Sequence, residues 1–346
     1  DQTKCESASF SLRHPTTAEE GVYLAHLLDT SRVAYNAGHY KCITGQLDCQ
    51  LLSQAFDIVL RGVSSYRSVI QIVGNDLKIK IYSAPMWGLR LLDFSHERAP
   101  KAAALLWIEN ERLVEFDLEV GPLFNFTVLK LTDTEFILFH WAHHLIVDAA
   151  GKYQFERWVF ETYKSLIECG RADALQNESD SAVVEQIYKN SDQFNKDQNF
   201  WKSELNDVPT QISLSGEGSV ADRCFTREVV SLPTKLSENL NYLCRKLDVT
   251  KSRVLIAIGA LYYARMTGQK NIIIDIPVSL RLTKEDRLAV DFRSNIIHLK
   301  LQVDPQLTIK EFVDHVASRL RICLNHKQYR FEEIKRNIVY MRDVTK

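Results

Sequence analysis

The sequence predicts an α/β protein built as two lobes, and three observations carry that prediction. Runs rich in β-branched and aromatic residues alternate with helical patterns in both halves of the chain. A polar stretch from Arg171 to Lys196, where Gln, Asn, Ser, Asp and Lys crowd out aliphatic residues, separates the halves. A chain of 346 residues that is 45% hydrophobic can bury a large core, and that length favours about two domains.

In chain order, Leu123 to Leu131 and Glu135 to Ala142 read as two strands joined by the turn residues Thr132-Asp133-Thr134. A helix follows. Tyr153, Trp158, Val159, Tyr163, Leu166 and Ile167 approximate its apolar face, Asp148 stands at the N-cap, and Gly170 supplies a stop. The polar stretch reads as the connection between lobes, helical around Ala182 to Tyr188. Beyond it, Arg223 to Ser231 is predicted as a strand, and Pro233 to Leu247 and Lys251 to Thr267 as helices. Asn271 to Val278 and Ser294 to Val303 are predicted strands, and Thr308 to Leu324 has helical periodicity. The longest apolar run, Val254 to Ala264, falls short of the roughly 18 to 20 residues that cross a bilayer and reads as a buried helix. No short-period repeat is visible, which argues against solenoids and propellers.

Composition narrows the function. The formal net charge is −1 with both signs dispersed, so nothing points to a nucleic-acid surface. Cys5, Cys42, Cys49, Cys169, Cys224, Cys244 and Cys323 form no Cys-x-x-Cys pair, and their odd number argues against a closed disulfide framework. They read as reduced thiols of a cytoplasmic protein, serving mostly as small apolar side chains. The amino end, Asp1 to Ser9, is polar, lacks the regions of a signal peptide and has no initiator methionine, so the chain reads as a processed product or an excised piece.

Chemistry concentrates in Ala142-His143-His144-Leu145-Ile146-Val147-Asp148-Ala149. An aspartate before a helix is most often a cap, and a strand histidine is most often a satisfied core residue. The combination is more informative, because His-His-x-x-x-Asp sets three functional groups over a strand end and the following turn, within side-chain reach of one another. A zinc site on His140, His143 and His144 would have no cysteine nearby and no familiar ligand spacing, so no metal is expected.

This run resembles the His-His-x-x-x-Asp-Gly signature of the condensation domains of nonribosomal peptide synthetases, which belong to the chloramphenicol acetyltransferase-like superfamily. Further segments are similar to family motifs and keep their order along nearly the whole chain. Thr17-Ala18-Glu19-Glu20-Gly21-Val22-Tyr23-Leu24 resembles the opening helix, and Tyr35-Asn36 with Gly45-Gln46-Leu47-Asp48 the first strand region. Phe116-Asp117-Leu118 with Gly121-Pro122-Leu123-Phe124 resembles the lead into the histidine motif. Asn199-Phe200-Trp201, Pro277-Val278-Ser279-Leu280-Arg281 and Asn325-His326-Lys327-Gln328-Tyr329-Arg330-Phe331-Glu332 resemble later motifs. Arg342-Asp343-Val344-Thr345-Lys346 is similar to the start of a further one, which implies a chain truncated at its C-terminus with an incomplete second lobe.

The resemblance implies two acetyltransferase-like α/β lobes forming a V around a central tunnel with the histidine motif at its floor. On that basis the chain divides into an N-terminal lobe, 1–175, a linker, 176–200, and a C-terminal lobe, 201–346. It implies amide-bond formation between a carrier-bound acyl or aminoacyl thioester and a carrier-bound aminoacyl acceptor. The partners implied are upstream and downstream peptidyl carrier domains and an adjacent adenylation domain, with no nucleic acid and no membrane. No tightly bound cofactor is expected, since phosphopantetheine arms of the carriers hold the substrates.

A thioester is already activated, so the reaction needs alignment and a base, and an imidazole titrates near operating pH. His144 is the candidate catalytic residue. The family implies that Asp148 pairs with the arginine matched here by Arg281, an architectural role; the plain reading of Arg281 is a surface arginine after a strand. His143 is expected to pack behind His144, because successive strand residues face opposite ways. Ala149 stands where the family usually has Gly, and it and Gly151 are expected to line the tunnel. Arg67 is the best match to a partly kept arginine-rich helix end between Arg61 and Arg67. Two other classes stay open: a freestanding CoA-dependent acyltransferase sharing His144 and Asp148, and an epimerase-type or non-catalytic carrier-docking domain, which the Ala149 change keeps in play. The opening helix motif and Tyr329-Arg330-Phe331-Glu332 favour the condensation enzyme.

Overall fold

Strand β7 (Glu135–His143) sets the plan of the N-terminal half, because its sequence EFILFHWAH is apolar on both faces. In the computed structural model, which describes residues 9–175, 181–207, 214 and 229–337, β7 pairs antiparallel with β2 (Asn36–Thr44) and β6 (Phe124–Lys130). β5 (Arg90–Asp93) joins β6 in parallel, giving the order β2-β7-β6-β5. Phe136, Leu138 and Ala142 of β7 share a core with Phe56 and Val59 of α2 (Cys49–Gly62) and with Phe155 and Val159 of α4 (Ala149–Cys169). Ile137 and Phe139 pack on the other side with Ala104 and Ile108 of α3 (Pro100–Glu111). A strand covered on both faces loses the polar alternation of a half-exposed one.

The helices start where their caps dictate. Thr16 and Glu19 form a capping box for α1 (Thr17–Leu28), Asp48 accepts the N–H groups of Gln50 and Leu51 for α2, and Asp148 accepts that of Gly151 for α4. Gly170 ends α4 in the left-handed region, φ 66°. A second sheet runs in the order β1-β4-β3, from β1 (Phe10–Arg13), β3 (Ser68–Val73) and β4 (Asp76–Tyr82).

The chain forms two compact units, Asp1–Asn190 with Ser279–Ser294, and Ser191–Val278 with Asn295–Lys346. This differs from a division into 1–175, 176–200 and 201–346. α5 (Ser181–Lys189) belongs to the first unit, where Glu185 accepts the backbone N–H of Thr17 at 2.9 Å at the start of α1. α6 (Asp192–Glu204) belongs to the second, which buries Trp201 completely. Polar composition marks the chain between the units but not that one carboxylate and one indole commit these two helices to opposite sides of the break. Nor does composition mark the return of Ser279–Ser294, which carries α9 (Lys284–Leu288), to the first unit.

In the second unit β8 (Asn271–Ser279) pairs with β9 (Ser294–Gln302). α7 (Thr234–Leu247), α8 (Lys251–Thr267), α10 (Ile309–Asn325) and α11 (Phe331–Asn337) complete it. Val254, Ala257 and Ala260 of α8 join Ile297, Leu299, Phe312 and Val316 in its core. The apolar run Val254 to Ala264 is therefore buried on one face only, since Leu255, Ile258 and Tyr262 are exposed. Among the described residues no helix is long and apolar enough to cross a membrane. The predicted strand Arg223 to Ser231 lies outside the described residues apart from 229–231, which form no strand, and Arg342 to Lys346 lie outside them altogether.

Candidate active site

β7 ends at His143 and α4 begins at Ala149, so the histidine motif occupies the connecting turn. The backbone N–H of His144 donates to Tyr35 O at 2.8 Å, carrying the β2 pairing one step past the strand. Its ring Nδ1 lies 3.1 Å from Val147 O. A carbonyl can only accept, so Nδ1 carries the proton and Nε2 is left as an acceptor. Phe292 flanks the ring at 5.8 Å between centroids. Burial pulls the His144 pKa below its ordinary value and the Lys152 ammonium acts the same way, against the bond to Val147 and the charge of Asp148. The imidazole is therefore neutral at physiological pH and able to take up a proton.

His143 is fully buried and differently bound. Its Nδ1 accepts the N–H of Leu145 at 3.1 Å, so Nε2 holds the proton and donates to His26 Nδ1 at 3.2 Å. Burial lowers its pKa to about 3, reinforced by His26 and His144. His143 thus fixes the turn that carries His144 and stays neutral.

Asp148 is the hub of the site and is 2% exposed. Oδ1 accepts the Gly151 N–H at 2.9 Å; Oδ2 accepts from Arg281 Nη1 at 2.6 Å and from the Arg293 N–H and Ser294 Oγ at 3.0 Å each. Burial opposes its ionisation, but the Arg281 guanidinium and the backbone donors win and hold its pKa below the usual carboxylate value. The Arg281 side chain is buried too, and its Nη2 donates to the carbonyls of Ala289 and Asp291 at 3.2 Å each. Arg281 is thus a buried partner inside the first unit, not a surface arginine.

Gly151 and Ala149 differ in their surroundings. A Cβ on Gly151 would lie 2.7 Å from Val147 Cγ2 and 3.0 Å from Asp291 O, so Gly151 exists to let the Ser279–Ser294 segment reach bare helix backbone. Ala149 occupies the first position of α4 and is exposed. Arg67 stands apart from this cluster, donating to Leu60 O and Tyr82 O.

The inner face of α4 departs from the pattern expected from its apolar residues. It runs through Gly151, Lys152, Phe155, Glu156 and Val159, whereas Tyr153 and Ile167 are exposed. Apolar periodicity misses this face because two of its members are charged and satisfied inside. Glu156 Oε1 accepts from His140 Nδ1 at 2.7 Å, and Oε2 pairs with Lys41. His39 Nε2 lies 2.9 Å from Oε1, in ion-pair range but poorly aligned for a hydrogen bond. His140 Nε2 accepts from Tyr66 Oη at 2.8 Å, and burial lowers the His140 pKa to about 4. Lys152 donates to Ala37 O at 2.6 Å. A lysine and a glutamate four residues apart, flanking Phe155 on one helical stripe, were the available signal for this network. His140 is thus a core histidine, and among the described residues no three His, Cys, Asp or Glu side chains are placed to hold a metal.

The first unit thus presents one neutral imidazole beside a buried carboxylate–guanidinium pair. Residues 15–345 match the Condensation domain family, and the chain belongs to that family, whose members form amide bonds between carrier-bound substrates in nonribosomal peptide synthesis. It is 29% identical over 329 residues to the isonitrile lipopeptide synthase of Streptomyces coeruleorubidus, and 26% identical over 325 residues to a dimodular nonribosomal peptide synthase of Bacillus subtilis (strain 168). These alignments cover 93% of this chain but only 22% and 14% of those proteins. Among solved structures, the first condensation domain of the calcium-dependent antibiotic synthetase, in complex with a substrate analogue, matches with a TM-score of 0.81 at 25% identity, over 94% of this chain and 78% of that one. The starter condensation domain of rhizomide synthetase shares the fold, with a TM-score of 0.77 at 21% identity over 95% of this chain and 76% of that one.

Proposed function

We propose that this chain joins a donor acyl or aminoacyl thioester to the amine of an aminoacyl acceptor, each carried on the phosphopantetheine arm of its own carrier domain, with His144 Nε2 as the proton acceptor. The observation that carries this reading is the hydrogen bond from His144 Nδ1 to Val147 O, which leaves Nε2 as the accepting nitrogen. The acceptor amine attacks the thioester carbonyl, a C–N bond forms, and the amine's extra proton passes to Nε2. The C–S bond then breaks, and the departing thiolate takes up that proton. Asp148 and Arg281 hold the turn and touch no substrate in this scheme. A general base supplies typically about 100-fold to 10,000-fold, whereas alignment of two reactants reaches effective molarities of about 100,000 M or more, so positioning carries the larger share.

The test is to supply loaded donor and acceptor carrier domains and follow amide-linked product by mass spectrometry. His144→Ala is expected to lower product formation about 100-fold or more. Unchanged turnover in that variant removes His144 from the role, and turnover with free CoA thioesters and no carrier replaces this reading with a freestanding acyltransferase.

A further inference from the structure

Lys152 has no part in the scheme above, yet it is 4% exposed and stands one helical turn beyond Asp148 on the inner face of α4. Its Nζ donates to Ala37 O at 2.6 Å, a carbonyl and not a carboxylate. Two residues earlier, Tyr35 O accepts the backbone N–H of His144 at 2.8 Å. A strand rises about 3.4 Å per residue, which places the ammonium about 7 Å along this edge from the His144 backbone.

We propose that Lys152 is a positioning residue for acyl transfer, its buried ammonium seated two residues along the strand from the carbonyl that holds the His144 backbone and acting from there on the His144 imidazole. This rests on the reading of His144 as the base. The other charged groups around the two residues have partners of their own. On α4, Asp148 is paired with Arg281 at 2.6 Å, and Glu156 with Lys41 of β2 and His140 of β7. On the Ser279–Ser294 segment, Asp291 is held by Arg293 at 2.8 Å. His143 and His140 of β7, with pKa values lowered to about 3 and about 4, are neutral near pH 7. His39 of β2 is drawn to Glu156. Asp148 still acts on the His144 ring, but less than the Lys152 charge that opposes it. Burial lowers the Lys152 pKa to about 8, so it remains cationic at neutral and acid pH. A nearby cation disfavours imidazolium, so removing it raises the pH at which His144 gains its proton.

The experiment is kcat/KM for amide formation from about pH 5 to about pH 9, in wild type, Lys152→Met and Lys152→Arg. Loss of the charge is expected to move the acid limb of Lys152→Met to higher pH, costing about tenfold in rate on that limb and narrowing toward alkaline pH. Lys152→Arg is expected to keep the wild-type limb, which a merely space-filling role would not require. An unshifted limb in a folded Lys152→Met overturns the proposal. If that variant does not fold, NMR titration of the His144 ring in wild type decides: a pKa at or above the ordinary 6.5 overturns it, and one below 6.5 that Lys152→Arg preserves supports it. Wild type without product, or a fully active His144→Ala, instead overturns the role of His144 itself.

Discussion

Asp148, the N-cap of α4, and Glu156, on its inner face, are two buried carboxylates both held below the usual carboxylate pKa, and they differ in where their partners come from. Beyond its cap bond to the Gly151 N–H, Asp148 takes its partners from Arg281, Arg293 and Ser294, which are 133 to 146 residues away in sequence. Glu156 takes its partners from the two strands beneath it, β2 and β7. The partners also differ in kind. The Arg281 side chain is 5% exposed and a guanidinium does not shed its proton, whereas the Lys41 side chain is 38% exposed and can turn to water. His140, with a pKa near 4, is already neutral. The first node is a tie between fixed charges that holds a distant stretch of chain against the histidine turn. The second is a polar patch inside a sheet–helix core that can relax.

The largest effect should therefore fall on Asp148. Asp148→Ala strands a buried guanidinium and is expected to cost about 3–5 kcal/mol in urea unfolding. Adding Arg281→Met to that variant should restore part of the loss, and strict additivity of the two changes would show that the pair is not coupled. Acid should strike next. The folded pKa values of His140 and His143 are lowered, so the unfolded chain binds protons first as pH falls through 6.5, and stability drains until about pH 4 and about pH 3 respectively. At about pH 5 this amounts to about 2 kcal/mol per histidine, before most carboxylates titrate. A urea midpoint unchanged between pH 7 and about pH 5 would contradict the neutral, buried state of both rings.

Glu156→Ala should cost less than Asp148→Ala, about 1–3 kcal/mol, because the partners it leaves are neutral or reach solvent. An equal or larger loss would break the contrast between a fixed and a relaxing node.

What was legible from residues alone follows the same division. Strands β6 to β9 and helices α7, α8 and α10 fall within one or two residues of where periodicity and caps place them, because each is a local pattern. His144 and Asp148 stood out for their spacing, and Arg281 only through a family motif, since no local rule ties residue 281 to residue 148. Lys152 and Glu156 escaped because a charged side chain on an inner stripe reads as solvent-facing until the strands beneath it are known. The pairing of His26 with His143 was hidden likewise: α1 and β7 are neighbours through tertiary packing, with 117 residues between them in sequence.

The smallest effect tests how closely the Ser279–Ser294 segment rests on α4. In a helix, Gly→Ala is favoured by roughly 1 kcal/mol through backbone entropy alone. At Gly259 in α8 nothing lies within 4 Å of an added Cβ, so Gly259→Ala should raise stability by up to about 1 kcal/mol. At Gly151 the same methyl would press on Val147 Cγ2 at 2.7 Å and on the Asp291 backbone at 3.0 Å. Overpacking of that kind costs about 1–3 kcal/mol, which exceeds the propensity gain and leaves a net loss near about 1 kcal/mol. Because Asp291 lies in the stretch that Arg281 and Asp148 hold in place, Gly151→Ala should also weaken the Asp148–Arg281 coupling in a double-mutant cycle. If Gly151→Ala stabilises the chain as Gly259→Ala does, the contact is loose and the Asp148–Arg281 pair, rather than backbone packing, alone holds the segment to the helix.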